Sequence, residues 1–252
     1  MNRKIYTCAG ADELAATAAA YIASLALDAV SLRGRCTIVL AGGSTPEKTY
    51  RSLSSEKISE KIPWEQVHLF WGDERFVHLT DRHSNYRMAD EALLSRVPVP
   101  VENVHPVPVG SETPEQAARK YEQTLRGLFL GDDLRAVRDR TYPVFDLVIL
   151  GVGADGHTAS LYEVSSIDQE ERRWVISTRG PDTHPVRERV SLSLPVINSA
   201  RSVLFLVSGE EKREALQRMV SRADGSIPVA PAQMVQPARS LVLMTDVGVR
   251  GF

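Results

Sequence analysis

Residues 145–162 read FDLVILGVGADGHTASLY, and the fold turns on how this stretch is taken. The run from Leu147 to Gly151 is short, continuous and apolar, which predicts a strand buried on both faces of a parallel sheet. Gly151, Gly153 and Gly156 then stop it, and glycine permits tight turning and close approach of backbone to a ligand. Asp155 and His157 lie two residues apart inside that turn. Open α/β sheets take their ligands at the carboxyl ends of strands, so both side chains are expected at a crevice.

Three readings of the turn compete. Gly151 to Gly156 matches the dinucleotide pattern G-x-G-x-x-G, and it follows a strand as that pattern should. The continuation HTASLYEVSSIDQEERR, however, has no clear apolar stripe for a long packing helix. Nor does a second strand end at an acidic residue about 20 positions on. A structural turn whose histidine caps a backbone group is the second reading. The third is an active-site histidine carried on a glycine loop, and the rest of the chain favours it.

The 252 residues are 43% hydrophobic and 25% charged, which suits one large α/β domain or two small ones, and with no strong composition shift one domain over 1–252 is expected. The net charge of −2 supplies no basic excess to neutralise a nucleic acid backbone. Cys8 and Cys36 sit in apolar, strand-like surroundings and read as buried thiols, as expected in a reducing cytoplasm. Near the N-terminus, Asp12 and Glu13 interrupt what would otherwise imitate a signal peptide. The uncharged stretch Leu14 to Leu27 is shorter than the roughly 20 residues that span a bilayer. Leu14, Tyr21, Ile22, Leu25, Ala29 and Leu32 repeat at helical spacing, predicting an amphipathic helix that Gly34 ends and no membrane association.

Cys36 to Ala41 is a second buried strand and runs into Gly42-Gly43-Ser44-Thr45-Pro46. Pro46 suits a first helical turn and Ser44 or Thr45 can cap it, so the stretch is either an ordinary capped turn or an anion site. It is no Walker loop, because Gly-Lys-Ser/Thr is missing. Val67 to Trp71 is the next strand, and it ends in the charged trio Asp73-Glu74-Arg75. Asp73 and Arg75 either pair with each other or face a substrate. Ser84 is a plausible cap for a helix reaching about Leu94, and Thr113 with Gln116 forms a capping box. Gly131 to Pro143 reads as a charged surface loop, and Pro228 to Pro237 as a loop with a short turn. Trp174 to Thr178, Val190 to Leu194, Ser202 to Val207 and Leu241 to Met244 complete the strands. Lys212 opposes the dipole at the start of a helix, so local stability explains it poorly. Strands alternating with helices predict a mostly parallel sheet covered on both faces.

Taken together, LAGGSTP at 40–46, WGDER at 71–75, HSNYRMA at 83–89, GVGADGHTASL at 151–161, RVSLSLPVINSAR at 189–201 and SGEEK at 208–212 resemble the 6-phosphogluconolactonases of the pentose phosphate pathway. The resemblance implies a Rossmann-like α/β domain, shared with glucosamine-6-phosphate deaminases and ribose-5-phosphate isomerases. It implies His157 as general base, Arg75 near the reacting carbonyl, and phosphate contacts from Gly42, Gly43, Ser44, Thr45, Arg189 and Lys212. Asp73 and Asp155 join the catalytic set, Asp155 either orienting the imidazole or only forming the turn. The substrate implied is a phosphosugar lactone, with no cofactor, and the chain is expected as a monomer or weak homo-oligomer. The six histidines show no H-x-H or H-E-x-x-H spacing for a metal. The family pattern A-S-L-F-P-G is broken, since Tyr162-Glu163-Val164 follow Leu161, which leaves the 162–172 loop unpredicted. The deaminases carry a catalytic glutamate where Tyr162 stands. A deaminase-type isomerase and a non-catalytic sugar-phosphate sensor are the rival functions.

Overall fold

The structure, a computed structural model, describes residues 2–130, 142–164, 173–221 and 230–249. The expected surface loop at Gly131 to Thr141, most of the 162–172 loop, and Pro228 lie outside them. The chain opens with β1 (Asn2–Thr7) and α1 (Ala11–Arg33), then β2 (Cys36–Leu40), α2 (Ser44–Leu53) and the single turn α3 (Glu56–Ser59). Next come β3 (Val67–Trp71), β4 (Asp73–Arg75), α4 (Asn85–Ala92), β5 (Val104–His105) and α5 (Pro114–Leu130). After β6 (Leu147–Leu150) follow β7 (Val175–Arg179), β8 (Glu188–Leu192), α6 (Leu194–Ser199), β9 (Ser202–Val207), α7 (Arg213–Val220) and β10 (Ser240–Thr245).

Seven strands form a wholly parallel sheet in the order β1-β10-β9-β6-β2-β3-β5. Every residue of β2 and β6 is buried. Successive side chains point to opposite faces, so complete burial means that both faces are covered. From β2 the chain moves outward to β3 and β5, then returns to lay β6 on the other side of β2 and continues to β9 and β10. The order therefore reverses between β2 and β6, and such a switch point opens a crevice at the carboxyl ends. The glycine turns after Leu40 and Leu150 flank that crevice.

Two tyrosines close the ends of strands there. The Tyr50 hydroxyl accepts from Ala41 N at 2.8 Å and donates to Ala41 O at 3.0 Å. The Tyr121 hydroxyl does the same for Trp71, accepting at 2.9 Å and donating at 3.2 Å. Each phenol replaces the next rung of a ladder, and burial pushes both pKa values up, so they stay protonated donors.

The parallel pattern does not extend to the whole chain. β4, β8 and β7 form a separate three-stranded antiparallel sheet, which the alternation of strands and helices did not predict. Gly72 joins the two sheets: its N–H donates to Leu40 O at 2.9 Å, and its carbonyl accepts from Leu192 N at 2.8 Å. The charged trio is thus a strand in its own right. α5 carries the small sheet through Glu122, whose Oε2 accepts from Arg173 Nε, Trp174 N and Val175 N. Its Oε1 accepts from Arg126 at 2.9–3.0 Å.

Gly34 ends α1 in the left-handed conformation (φ 74°), with its N–H on Val30 O, as expected. The buried face is mostly alanine, with Leu14 and Ile22, whereas Leu32 is 75% exposed. Small side chains let the helix close on α2, and Leu32 lies in the last turn of the helix. At 23 residues α1 is long and apolar enough to cross a membrane by length and composition, unlike the shorter uncharged run counted above. Its alanine face is instead packed inside the protein. Ser44 and Thr45 do not cap α2; Gly43 holds the cap position (φ 107°), with no side-chain bond to the first turn. Ser84 does cap α4, accepting from Arg87 N. Only half of the box at Thr113 forms, because the Gln116 side chain donates to Glu112.

Glu122→Ala should destabilise the protein by about 2–4 kcal/mol, since two buried N–H groups and the arginines lose their acceptor. Burial raises the Glu122 pKa, but Arg173 and Arg126 outweigh it and hold it below the ordinary value. A depressed carboxylate stabilises above its unfolded pKa of about 4.3 and loses that contribution as pH falls through the folded value. Urea titrations should show the variant's deficit at neutral pH and its shrinkage in acid; a pH-independent deficit would assign the loss to packing alone.

Candidate active site

The crevice at the switch point is a cavity of about 300 Å³. β2 contributes Gly42 and Gly43, β4 contributes Asp73 and Arg75, β8 contributes Arg189, and the turn after β9 contributes Lys212. The loop after β6 contributes His157, so the ends of three strands of the large sheet and two strands of the small one converge. Three of the expected residues are not among the lining residues: Ser44 and Thr45 lie in the first turn of α2, and Asp155 reaches the cavity only through its contact with His157.

His157 is held from several sides. Its Nδ1 lies 2.6 Å from Asp155 Oδ1, which also accepts from His157 N at 3.1 Å. Burial raises the Asp155 pKa, but the His157 backbone and ring outweigh it and leave it below the ordinary value. An ionised carboxylate only accepts, so Nδ1 carries the hydrogen and, in the neutral ring, the lone pair is on Nε2. A Cβ on Gly153 would fall 2.1 Å from His157 Nδ1, so only glycine leaves the ring its place. The Tyr162 ring packs on the imidazole at 4.8 Å between centroids. Ala159, in the same loop, has a positive φ of 47°, a strain that alanine rarely carries outside a constrained site.

Asp73 and Arg75 do not pair with each other. Asp73 Oδ2 accepts from Ser160 Oγ at 2.7 Å, while Asn85 Nδ2 reaches the Asp73 carbonyl at 2.9 Å and Oδ1 at 3.4 Å. The carboxylate thus ties the histidine loop to β4 and to the start of α4. Gly42 belongs to the same cluster, because a Cβ there would meet Asn85 Oδ1 at 1.9 Å. Arg75 Nη1 donates to His83 O at 2.7 Å, and its buried Nε has no partner. Arg189 lies opposite Arg75 in the antiparallel ladder. Glu74 turns the other way: its carboxylate accepts from Asn85 N and Tyr86 N and closes the positive end of α4. The N-terminus of α2 has no such plug and borders the cavity at Gly43.

Asn85, Tyr162 and His184 line the cavity although no spacing singled them out as site residues. Asn85 lies inside the HSNYRMA block, and a titratable His184 just ahead of Arg189 was a usable signal. Among the described residues no group of three or more histidine, cysteine, aspartate or glutamate side chains could hold a metal. The site offers a general base, donors for a developing negative charge, and cations for an anionic substrate.

A family model described as glucosamine-6-phosphate isomerases/6-phosphogluconolactonase matches residues 9–244. The chain is 38% identical over 219 residues to a 6-phosphogluconolactonase of Synechocystis, covering 86% of this chain and 85% of that one. It is 37% identical over 218 residues to a 6-phosphogluconolactonase of Nostoc, with 86% and 85% covered. Among solved structures, the 6-phosphogluconolactonase of Trypanosoma brucei superimposes with a TM-score of 0.81 at 31% identity, over 97% of this chain and 96% of that one.

Ser160→Ala should cost about 1.5–3 kcal/mol, because a buried carboxylate loses a hydroxyl donor. A double-mutant cycle with Asp73→Asn should give a coupling of at least about 0.5 kcal/mol, and additive losses would show that the two groups act independently.

Proposed function

The chain belongs to the glucosamine-6-phosphate isomerase/6-phosphogluconolactonase family, and from that membership we propose that it hydrolyses 6-phospho-D-glucono-1,5-lactone to 6-phospho-D-gluconate in the oxidative pentose phosphate pathway. The observation that supports this most directly is the 2.6 Å pair of His157 and Asp155, set in a cavity that Arg75, Arg189 and Lys212 also line. Water attacks C1 of the lactone, and Nε2 of His157 takes its proton. The carbonyl oxygen gains negative charge and is met by Arg75, whose unpartnered Nε and remaining donors have no carboxylate competing for them among the described residues. The ring oxygen then leaves with the proton returned by His157. Arg189, Lys212 and the open end of α2 at Gly42-Gly43 anchor the phosphate, which turns attack into an oriented event. Asp155 orients the base, and Asp73 positions the loops.

A deaminase-type isomerase is disfavoured because Tyr162 stands where the resemblance puts that enzyme's glutamate, with its ring packed on His157. A non-catalytic sensor would have no use for an oriented imidazole. The reducing cytoplasm is the compartment we assign, with Cys8 and Cys36 as buried free thiols.

The test is a lactonase assay on purified protein, corrected for spontaneous hydrolysis and run beside a glucosamine-6-phosphate deamination assay. His157→Ala should lower kcat by about 100- to 10,000-fold in a folded protein, and near-normal turnover would remove it as the base. Arg75→Lys keeps the charge but loses the planar fork, so kcat should fall by up to about 100- to 1000-fold while product Kd changes far less. Equal losses in both would make Arg75 a uniform binder.

A further inference from the structure

The guanidinium of Arg189 carries a charge that its immediate partners do not neutralise. The residue is only 5% exposed. Its Nε donates to the Val186 carbonyl at 3.0 Å, and its Nη2 meets His184 Nδ1 at 3.4 Å. Among the described residues no carboxylate comes within ion-pair distance, Asp73 and Glu74 acting only from further off. Its neighbour across the ladder is another cation, Arg75. A buried charge held by neutral acceptors alone is costly, and an anion in the cavity would complete it.

That arrangement favours one state of His184. A guanidinium has donors only, so the 3.4 Å contact is a hydrogen bond when Nδ1 is unprotonated and the ring carries its hydrogen on Nε2. The ring lines the cavity, 6.0 Å from His157 and 5.7 Å from Tyr162 between centroids. Arg189 of β8, Arg75 of β4, and His157 and Asp155 of the glycine loop are the charged or titratable groups facing it, with Tyr162 beside them. Burial first, then the cations, push its pKa below the ordinary histidine value, with Asp155 opposing.

We propose that His184 is a positioning residue of the hydrolytic site, whose unprotonated Nδ1 holds the Arg189 guanidinium in place for the phosphate of the substrate. Protonation removes the acceptor and sets a third positive charge beside Arg189 and Arg75, so phosphate anchoring is lost in acid. The inference rests on the lactonase reading for its substrate, but the pairing with Arg189 can be tested without it.

Steady-state rates of the wild type, His184→Gln and His184→Ala on the phosphorylated lactone, followed across pH, provide the first arm. The second is calorimetric titration of each protein with inorganic phosphate at mildly alkaline pH, after thermal melting has shown all three to be folded. His184→Ala should raise KM and phosphate Kd by about tenfold, the usual scale for a hydrogen bond to a charged group, with a much smaller change in kcat. His184→Gln keeps a neutral acceptor and should recover most of that loss. In acid, log kcat/KM of the wild type should fall more steeply than that of His184→Gln, by about one unit of slope for the proton that His184 takes up. An alanine variant with wild-type KM and phosphate affinity would overturn the proposal. So would a glutamine variant as impaired as alanine at an unchanged melting temperature. If the wild type did not hydrolyse the lactone at all, the functional reading would fall, and the phosphate titrations would still decide the role of His184.

Discussion

The carboxylate of Asp73 is the constraint on which the cavity depends. It stands where the chain leaves the parallel sheet for the antiparallel one, and it grips the histidine loop through Ser160 at 2.7 Å and reaches Asn85 Nδ2 at 3.4 Å. Without it, the loop carrying His157 would lose its side-chain bond to β4, leaving Glu74 to hold the start of α4 and Ser191 to hold the loop. A buried anion with specific donors is a demanding device, because every partner must be present for the desolvation cost to be offset. That demand also makes it a precise one: the His157 loop and the strand that carries Arg75 are set against a common reference.

The parallel sheet was legible because its strands announce themselves. Leu147 to Leu150 and Cys36 to Leu40 are unbroken apolar runs closed by glycine, and a strand buried on both faces leaves that trace. The antiparallel sheet leaves a weaker one. Val175 to Arg179 and Glu188 to Leu192 are short and mixed, and nothing in five residues tells which direction a partner runs. Asp73 to Arg75 looked like the charged end of a strand because pairing with β8 is a long-range contact without a local pattern. The capping hydroxyls of Ser44 and Thr45 misled in the opposite sense: their chemistry fits a cap, but Gly43 already holds that position.

The site was read more fully than the sheets, since glycine turns and titratable residues mark strand ends. His157, Arg75, Arg189 and Lys212 all reach one cavity. What stayed hidden were residues that meet the expected ones by contact: Asn85 with Gly42 and Asp73, His184 with Arg189. Their positions are set by distances between segments far apart in the chain. Electrostatics shows the same separation of scales. The chain carries a net charge of −2, yet three cations and one fully engaged carboxylate border the cavity, so the local field favours anions as the whole-molecule charge does not.

The hydroxyls of Tyr50 and Tyr121 bear on how such a fold diversifies. By taking both backbone groups at the residue where each strand gives out, they act as terminators that seal the ladder before the loop begins. A change in loop length or sequence beyond Ala41 or Trp71 then need not propagate back into the sheet as a lost rung. Chemistry at the rim and integrity of the scaffold become separable properties, which suits a family whose members share one frame and differ in the bond they break.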